Sequence, residues 1–198
     1  MIASASRGIA ILAMTKTGTT ALEEALAPHC DIVITGPPPL KHMPLRRFDR
    51  RIRPLLEKEN RRIETACLFR EPIDWLGSWY RYRARDTIPD RSKSTAGMSF
   101  EAFVEAYLQD EPPAYARVGR PARFVSRHDG RPGIDHLYRY EAFGAFCQVL
   151  QDRFRVRIMT ERRNVSPAGA LSLSAALRSR AERFLAAEYE IYEGLAAH

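Results

Sequence analysis

Short apolar runs alternate along this chain with stretches of helical spacing. Gly8-Ile-Ala-Ile-Leu-Ala-Met14 is unbroken and apolar, the pattern of a buried strand. The polar turn Thr15-Lys-Thr-Gly-Thr-Thr20 follows at once, and Ala21-Leu-Glu-Glu-Ala-Leu26 then reads as a helix. Cys30 to Thr35 reads as a second strand, closed by Gly36-Pro-Pro-Pro39, where consecutive prolines predict an extended loop rather than helix. Leu45, Phe48, Ile52, Leu55 and Leu56 recur at helical spacing within 45–59, with a break expected near Pro54. Thr65 to Phe69 is a third strand, leading into a helix over 73–85 with Pro72 in its first turn. The aperiodic polar segment 86–97 predicts a mobile loop, and Ser99 predicts the N-cap of a helix over 100–108. Segment 110–133, with four prolines and three glycines, predicts an irregular surface excursion. A strand over 134–140, a helix over 141–152, a strand over 155–159 and a long helix over 172–195 complete the pattern.

Strands alternating with helices predict an α/β fold, here one domain over residues 1–198. The expected form is a three-layer α/β/α arrangement with a mainly parallel sheet and a P-loop-like phosphate-binding turn after the first strand. In such sheets ligands sit at the carboxyl ends of the strands, so the three polar segments that follow strands should share one edge.

A chain of 198 residues with 45% hydrophobic and 28% charged content is that of an ordinary globular domain. The formal charge of +7 favours an anionic ligand without naming it. Cys30, Cys67 and Cys147 are far apart, which argues against a zinc site or a disulfide framework and for small buried hydrophobes. No run approaches the roughly 18 apolar residues of a membrane span, so no span is expected and a cytoplasmic location is the default.

The chemistry concentrates in the first turn. Gly18 can take backbone angles closed to other residues, and the hydroxyls of Thr17, Thr19 and Thr20, the free N–H groups of a helix start and the charge of Lys16 converge there. That reads as a phosphate site, although Thr- and Gly-rich turns often just connect a strand to a helix; it is not the nucleotide-triphosphate loop G-x-x-x-x-G-K-[ST], because Lys16 precedes Gly18 and the chain has no Gly-Lys pair. Two further polar segments follow strands: Lys41-His-Met-Pro44, and Arg70-Glu-Pro-Ile-Asp-Trp-Leu-Gly-Ser78. The other histidines, His29, His128, His136 and His198, read as structural. Tyr140 reads as core, and Trp75 and Trp79 as packing residues of their helix, although Trp75, Trp79, Tyr80 and Tyr82 could also line an acceptor pocket.

With these segments in place the chain resembles the sulfotransferases that use 3′-phosphoadenosine 5′-phosphosulfate (PAPS). In that family a Lys-[Ser/Thr]-Gly-Thr-Thr turn holds the 5′-phosphosulfate, and Lys16 to Thr20 match it position by position. A strand-ending Arg with a Ser eight residues later holds the 3′-phosphate, the spacing of Arg70 and Ser78. His42-Met-Pro44 is similar to the family's His-x-Pro segment with a catalytic base, and Arg139-Tyr-Glu-Ala-Phe143 to its Arg-Tyr-Glu-Asp-Leu stretch. Arg163-Asn-Val-Ser166 looks like a late cofactor-facing loop. Ala21 stands where the cytosolic branch often has Trp, and the Arg-Lys-Gly loop of that branch is missing, so the likeness is to a divergent bacterial-type or carbohydrate-type member. The resemblance implies transfer of a sulfuryl group from PAPS to a hydroxyl or amine of a small-molecule, carbohydrate or lipid acceptor, releasing adenosine 3′,5′-bisphosphate. It implies Lys16 and His42 as catalytic residues, Thr17, Gly18, Thr19, Thr20, Arg70, Ser78 and Arg163 beside Lys16 as cofactor ligands, and no metal.

Two other classes fit parts of the pattern. A nucleotide or nucleoside kinase shares the architecture but needs the missing Gly-Lys pair and a metal ligand. A nucleic-acid-binding module would use Arg46 to Arg53 and Arg81 to Arg85 on phosphate backbones, although arginine-rich helix faces of this kind are most often simply solvated, and no specific nucleic-acid partner is expected.

Overall fold

The computed structural model describes residues 1–57, 62–158 and 171–195. The chain forms a mixed α/β fold around an open five-stranded sheet. Its elements are β1 (Ile2–Ser4), β2 (Ile9–Ile11), α1 (Thr19–Leu26), β3 (Ile32–Val33), α2 (Pro38–Lys41), α3 (Leu45–Arg51), α4 (Arg53–Leu56), β4 (Glu64–Phe69), α5 (Pro72–Arg83), α6 (Phe100–Tyr107), α7 (Pro121–Val125), β5 (His136–Arg139), α8 (Phe143–Phe154), α9 (Ala175–Phe184) and α10 (Ala186–Gly194), with short 3₁₀ turns between some of them.

The strand order is β3-β1-β2-β4-β5. β2, β4 and β5 are parallel neighbours, whereas β1 runs antiparallel to both β2 and β3. All strands except β1 therefore point the same way. The first strand in the chain is β1, not the run after Gly8: Met1-Ile-Ala-Ser4 is too short to carry a pattern of its own, and it pairs because Gly8, at φ 66, closes a hairpin onto β2. The turn Thr15 to Thr20 consequently follows the second strand.

Both faces of the sheet are buried, by simple alternation. Ala10, Leu12, Cys67 and Phe69 join a core with Leu45, Phe48, Leu56 and Val125. Ile9, Ile11, Ala66 and Leu68 join another with Leu22, Leu26, Phe146, Leu150 and Phe154. A third cluster gathers Trp75, Leu76, Phe103, Val104, Leu177 and Leu185 beside the sheet. Each fully buried Phe or Leu here is worth roughly 1.5–3 kcal/mol of transfer free energy.

Local chemistry places the element ends. The Glu71 carboxylate accepts from the Asp74 N–H at 2.5 Å and Pro72 opens α5; Ser99 accepts from the Ala102 N–H at 3.1 Å and opens α6. The helix read across 45–59 divides at Ile52, just before Pro54. Four expectations need correction. The proline loop contains α2, because its prolines occupy first-turn positions where no N–H is required. Segment 110–133 holds α7, buried through Ala122, Phe124 and Val125. The single helix expected over 172–195 is two, α9 and α10, meeting at Leu185. Residues 155–158 form no strand: Arg155 turns left-handed at φ 57 to end α8, and Met159 lies outside the described residues.

Candidate functional site

Beyond β2 the chain presents four consecutive carbonyls, and a different side chain holds each. The Ala13 carbonyl meets His42 Nδ1 at 2.7 Å, and Met14 accepts from Thr17 Oγ1 at 2.9 Å. Thr15 accepts from Trp75 Nε1 at 3.0 Å, and Lys16 from Arg70 Nη1 at 3.1 Å. The four donors come from the segment after β3, the turn itself, α5 and the end of β4. With its acceptors engaged, the turn enters α1 through Gly18 at φ 68, and no side chain caps the N–H groups of the first helical turn. Lys16 itself has φ 65, a left-handed conformation that costs a residue with a Cβ about 1–2 kcal/mol. Together these donors and the helix dipole make a backbone concavity suited to an anion.

The Lys16 side chain makes no hydrogen bond or ion pair to a described residue. Its ammonium lies 4.1 Å from the Tyr82 ring centroid and 5.7 Å from that of Trp79. Burial and the nearby charges of Arg85, Arg70 and Arg81 bring its pKa down to about 8. Arg70 is set by three contacts: Nε to Asp74 Oδ2 at 2.6 Å, Nη1 to the Lys16 carbonyl, and its guanidinium carbon 4.7 Å from the Tyr140 ring centroid. Ser78, one face of α5 further on, is 95% buried and its hydroxyl meets no partner among the described residues.

The His42 contact fixes a tautomer. A carbonyl can only accept, so Nδ1 carries the proton and Nε2 is the basic nitrogen of the neutral ring. Burial lowers the His42 pKa; the Ala13 bond works the other way, and the charge of Lys41 adds to the lowering. Lys41 is itself tied to the buried carboxylate of Glu23 at 3.0 Å.

A cavity of about 790 Å³ at this sheet edge gathers the segments. Lys16, Gly18, Thr19 and Thr20 line it from the turn, His42 from beyond β3, Arg70 and Ser78 from β4 and α5. Thr17 does not line it: the residue is fully buried, and its hydroxyl serves the Met14 carbonyl. Arg163 and the rest of the segment to Ser166 lie outside the described residues. Arg139 points its guanidinium at the Tyr192 and Glu193 carbonyls and so fastens α10 rather than the cavity.

Tyr140, read from sequence as core, packs half-buried against the core beside Phe143 and also lines the cavity wall, between Arg70 and Gly18. Trp79, Tyr82, Arg83, Arg85, Ile88 and Lys93 also lie in that wall, with Glu24 and Asp90 among its acidic members. The i, i+3, i+4 spacing of Trp79, Tyr82 and Arg83 with Trp75 or Ser78 was the sequence signal for this face. Compared with known proteins, the chain matches no family model, no curated protein and no solved structure.

Proposed function

We propose that this chain is a PAPS-dependent sulfotransferase. The observation that carries the reading is the convergence of Lys16, His42, Arg70 and Ser78, from separate segments, on one cavity. A cationic recess at strand carboxyl ends, with an uncapped helix start, suits a nucleotide bearing two separate anionic groups. The finer fold, a three-layer domain with a P-loop-like turn, belongs to the same proposal, supported by the cores on both sheet faces and the position of the turn.

In this reading the turn and the start of α1 hold the 5′ end of the nucleotide. Arg70, pre-aimed by Asp74 and the Lys16 carbonyl, and the Ser78 hydroxyl, which meets no partner among the described residues, hold the 3′-phosphate. PAPS supplies an activated sulfuryl group on a phosphate leaving group. His42 Nε2 takes the proton of the acceptor hydroxyl or amine, and a base so placed contributes about 10²–10⁴-fold. Lys16 places its positive charge where negative charge grows, the usual protein contribution to such transfers. The chemistry calls for no metal.

The test uses His42→Asn, which keeps an N–H donor for the Ala13 carbonyl and removes the base. Radiolabelled PAPS is offered to alcohol, phenol, amine, sugar and lipid acceptors while calorimetry follows adenosine 3′,5′-bisphosphate. The expected result is turnover by the wild type on at least one acceptor, lost at least 100-fold in the variant with affinity for the bisphosphate retained. Wild-type protein that neither binds the bisphosphate nor transfers the label overturns the reading.

A further inference from the structure

The Lys16 ammonium lies over aromatic faces and makes no hydrogen bond or ion pair to a described residue. Tyr82 lies under it at 4.1 Å and Trp79 at 5.7 Å, and the two rings brace each other edge to face with centroids 5.7 Å apart. The left-handed backbone at Lys16 fixes the direction from which the side chain leaves the turn. We propose that Tyr82, backed by Trp79, is a positioning residue for Lys16: its ring face holds the ammonium, charged and aimed across the cavity, before any ligand arrives.

The surroundings explain why such a support is needed. The groups that face Lys16 are cationic: Arg70 at the end of β4, Arg81 on α5 and Arg85 just beyond it. Asp74 is the nearest carboxylate on α5, and it is shared between Arg70 at 2.6 Å and Arg81 at 3.6 Å. Of the other charged groups in the cavity wall, Lys93 pairs with Asp90, Lys41 pairs with Glu23, and Arg83 donates to the Ala114 carbonyl at 2.6 Å. Burial and repulsion both favour loss of the Lys16 proton, and no carboxylate among the described residues forms an ion pair with it. The electron-rich faces of Tyr82 and Trp79 oppose them, and a desolvated contact of this kind is stronger than an exposed one. An aromatic face has a second advantage over a carboxylate: it leaves the ammonium's positive charge unneutralised for the incoming anion.

The inference rests on the cavity being an anion site with Lys16 as a ligand, but its test needs no ligand and no turnover. Competitive labelling with acetic anhydride across a pH series, read by mass spectrometry, gives the titration midpoint of Lys16 in the wild type, Tyr82→Phe and Tyr82→Leu. Tyr82 is 37% exposed, so both variants are expected to fold, and circular dichroism verifies this. Tyr82→Phe keeps the ring face and should leave the midpoint unchanged. Tyr82→Leu should lower it by about 0.4–1.5 pH units, the size of a cation–π contact expressed as a pKa change. Should Tyr82→Leu not fold, Tyr82→Met takes its place with the same expected shift. A midpoint unmoved in the aliphatic variant, or moved equally in Tyr82→Phe, overturns the proposal. Failure of the wild type to bind the bisphosphate would instead overturn the sulfotransferase reading and leave the lysine titration standing.

Discussion

Replacing Arg70 with Lys keeps the positive charge and removes the fork. In the wild type the guanidinium donates to Asp74 at 2.6 Å and to the Lys16 carbonyl at 3.1 Å, and it lies 4.7 Å from the centre of the Tyr140 ring. A lysine ammonium is a single point on a flexible stem and cannot hold all three while meeting a phosphate. The contact with Asp74, whose side chain is 44% exposed, is screened and worth little. The loss that matters is one charge-assisted hydrogen bond to the 3′-phosphate, about 1.5–3 kcal/mol, or roughly 10- to 150-fold in affinity. Calorimetry with adenosine 3′,5′-bisphosphate and with adenosine 5′-monophosphate separates this from damage to the turn, since only the first carries the phosphate at issue. The bisphosphate should lose affinity by that factor and the monophosphate by much less. Ser78→Ala should reduce the same preference, and non-additively with Arg70→Lys, because both side chains would share one phosphate. Equal losses for the two nucleotides would refute a 3′-phosphate at Arg70.

The depressed pKa of Lys16, about 8, means that affinity for the bisphosphate should fall as pH rises through about 8, well below the ordinary lysine range, and calorimetry from pH 7 to 9.5 would show it. Lys16→Arg, permanently charged, should flatten that fall. Glu188 is fully buried, accepts from Arg120 Nε at 2.8 Å and Nη2 at 2.6 Å, and joins α10 to the start of α7; Glu188→Ala should lower unfolding free energy by about 3–5 kcal/mol in urea titrations. Glu64, held low by hydrogen bonds from His136 and Arg153, and Asp135, where bonds from Thr65 and Arg62 outweigh burial, have folded pKa values below their ordinary ones. Their stabilisation is complete above the ordinary carboxylate range and lost as pH falls through the folded values, so the melting temperature should drop below about pH 4.5, less steeply in a Glu64→Gln, Asp135→Asn double variant.

The residues whose roles depend on local pattern were readable from the chain. Ile9 to Ile11 and Thr65 to Phe69 carry their strand character in their own apolar runs, and Ser99 and Pro72 mark helix starts by rules that need no tertiary context. Lys16, His42, Arg70 and Ser78 could be grouped because each follows a strand, and strands pointing one way deliver their ends to one edge. What escaped notice depends on partners distant in sequence. β1 is three residues that become a strand only when β2 and β3 flank them. Tyr140 looks like any core aromatic until Arg70, seventy positions earlier, lies over its ring. The task of Thr17, inside the most legible motif of all, is to satisfy the Met14 carbonyl, and spacing cannot distinguish that from a ligand hydroxyl.

The row of carbonyls from Ala13 to Lys16 divides the molecule into parts that evolution or an engineer can alter and parts that resist. Its anchors are a histidine, a threonine, a tryptophan and an arginine scattered over some sixty positions, so an insertion between Met43 and Ile73 that displaces α5 would distort the turn Thr15 to Thr20 without touching it. Ile88, Pro89 and Lys93 border the same cavity yet secure none of those carbonyls. That stretch can be rewritten to reshape the mouth of the cavity while all four carbonyl anchors stay intact.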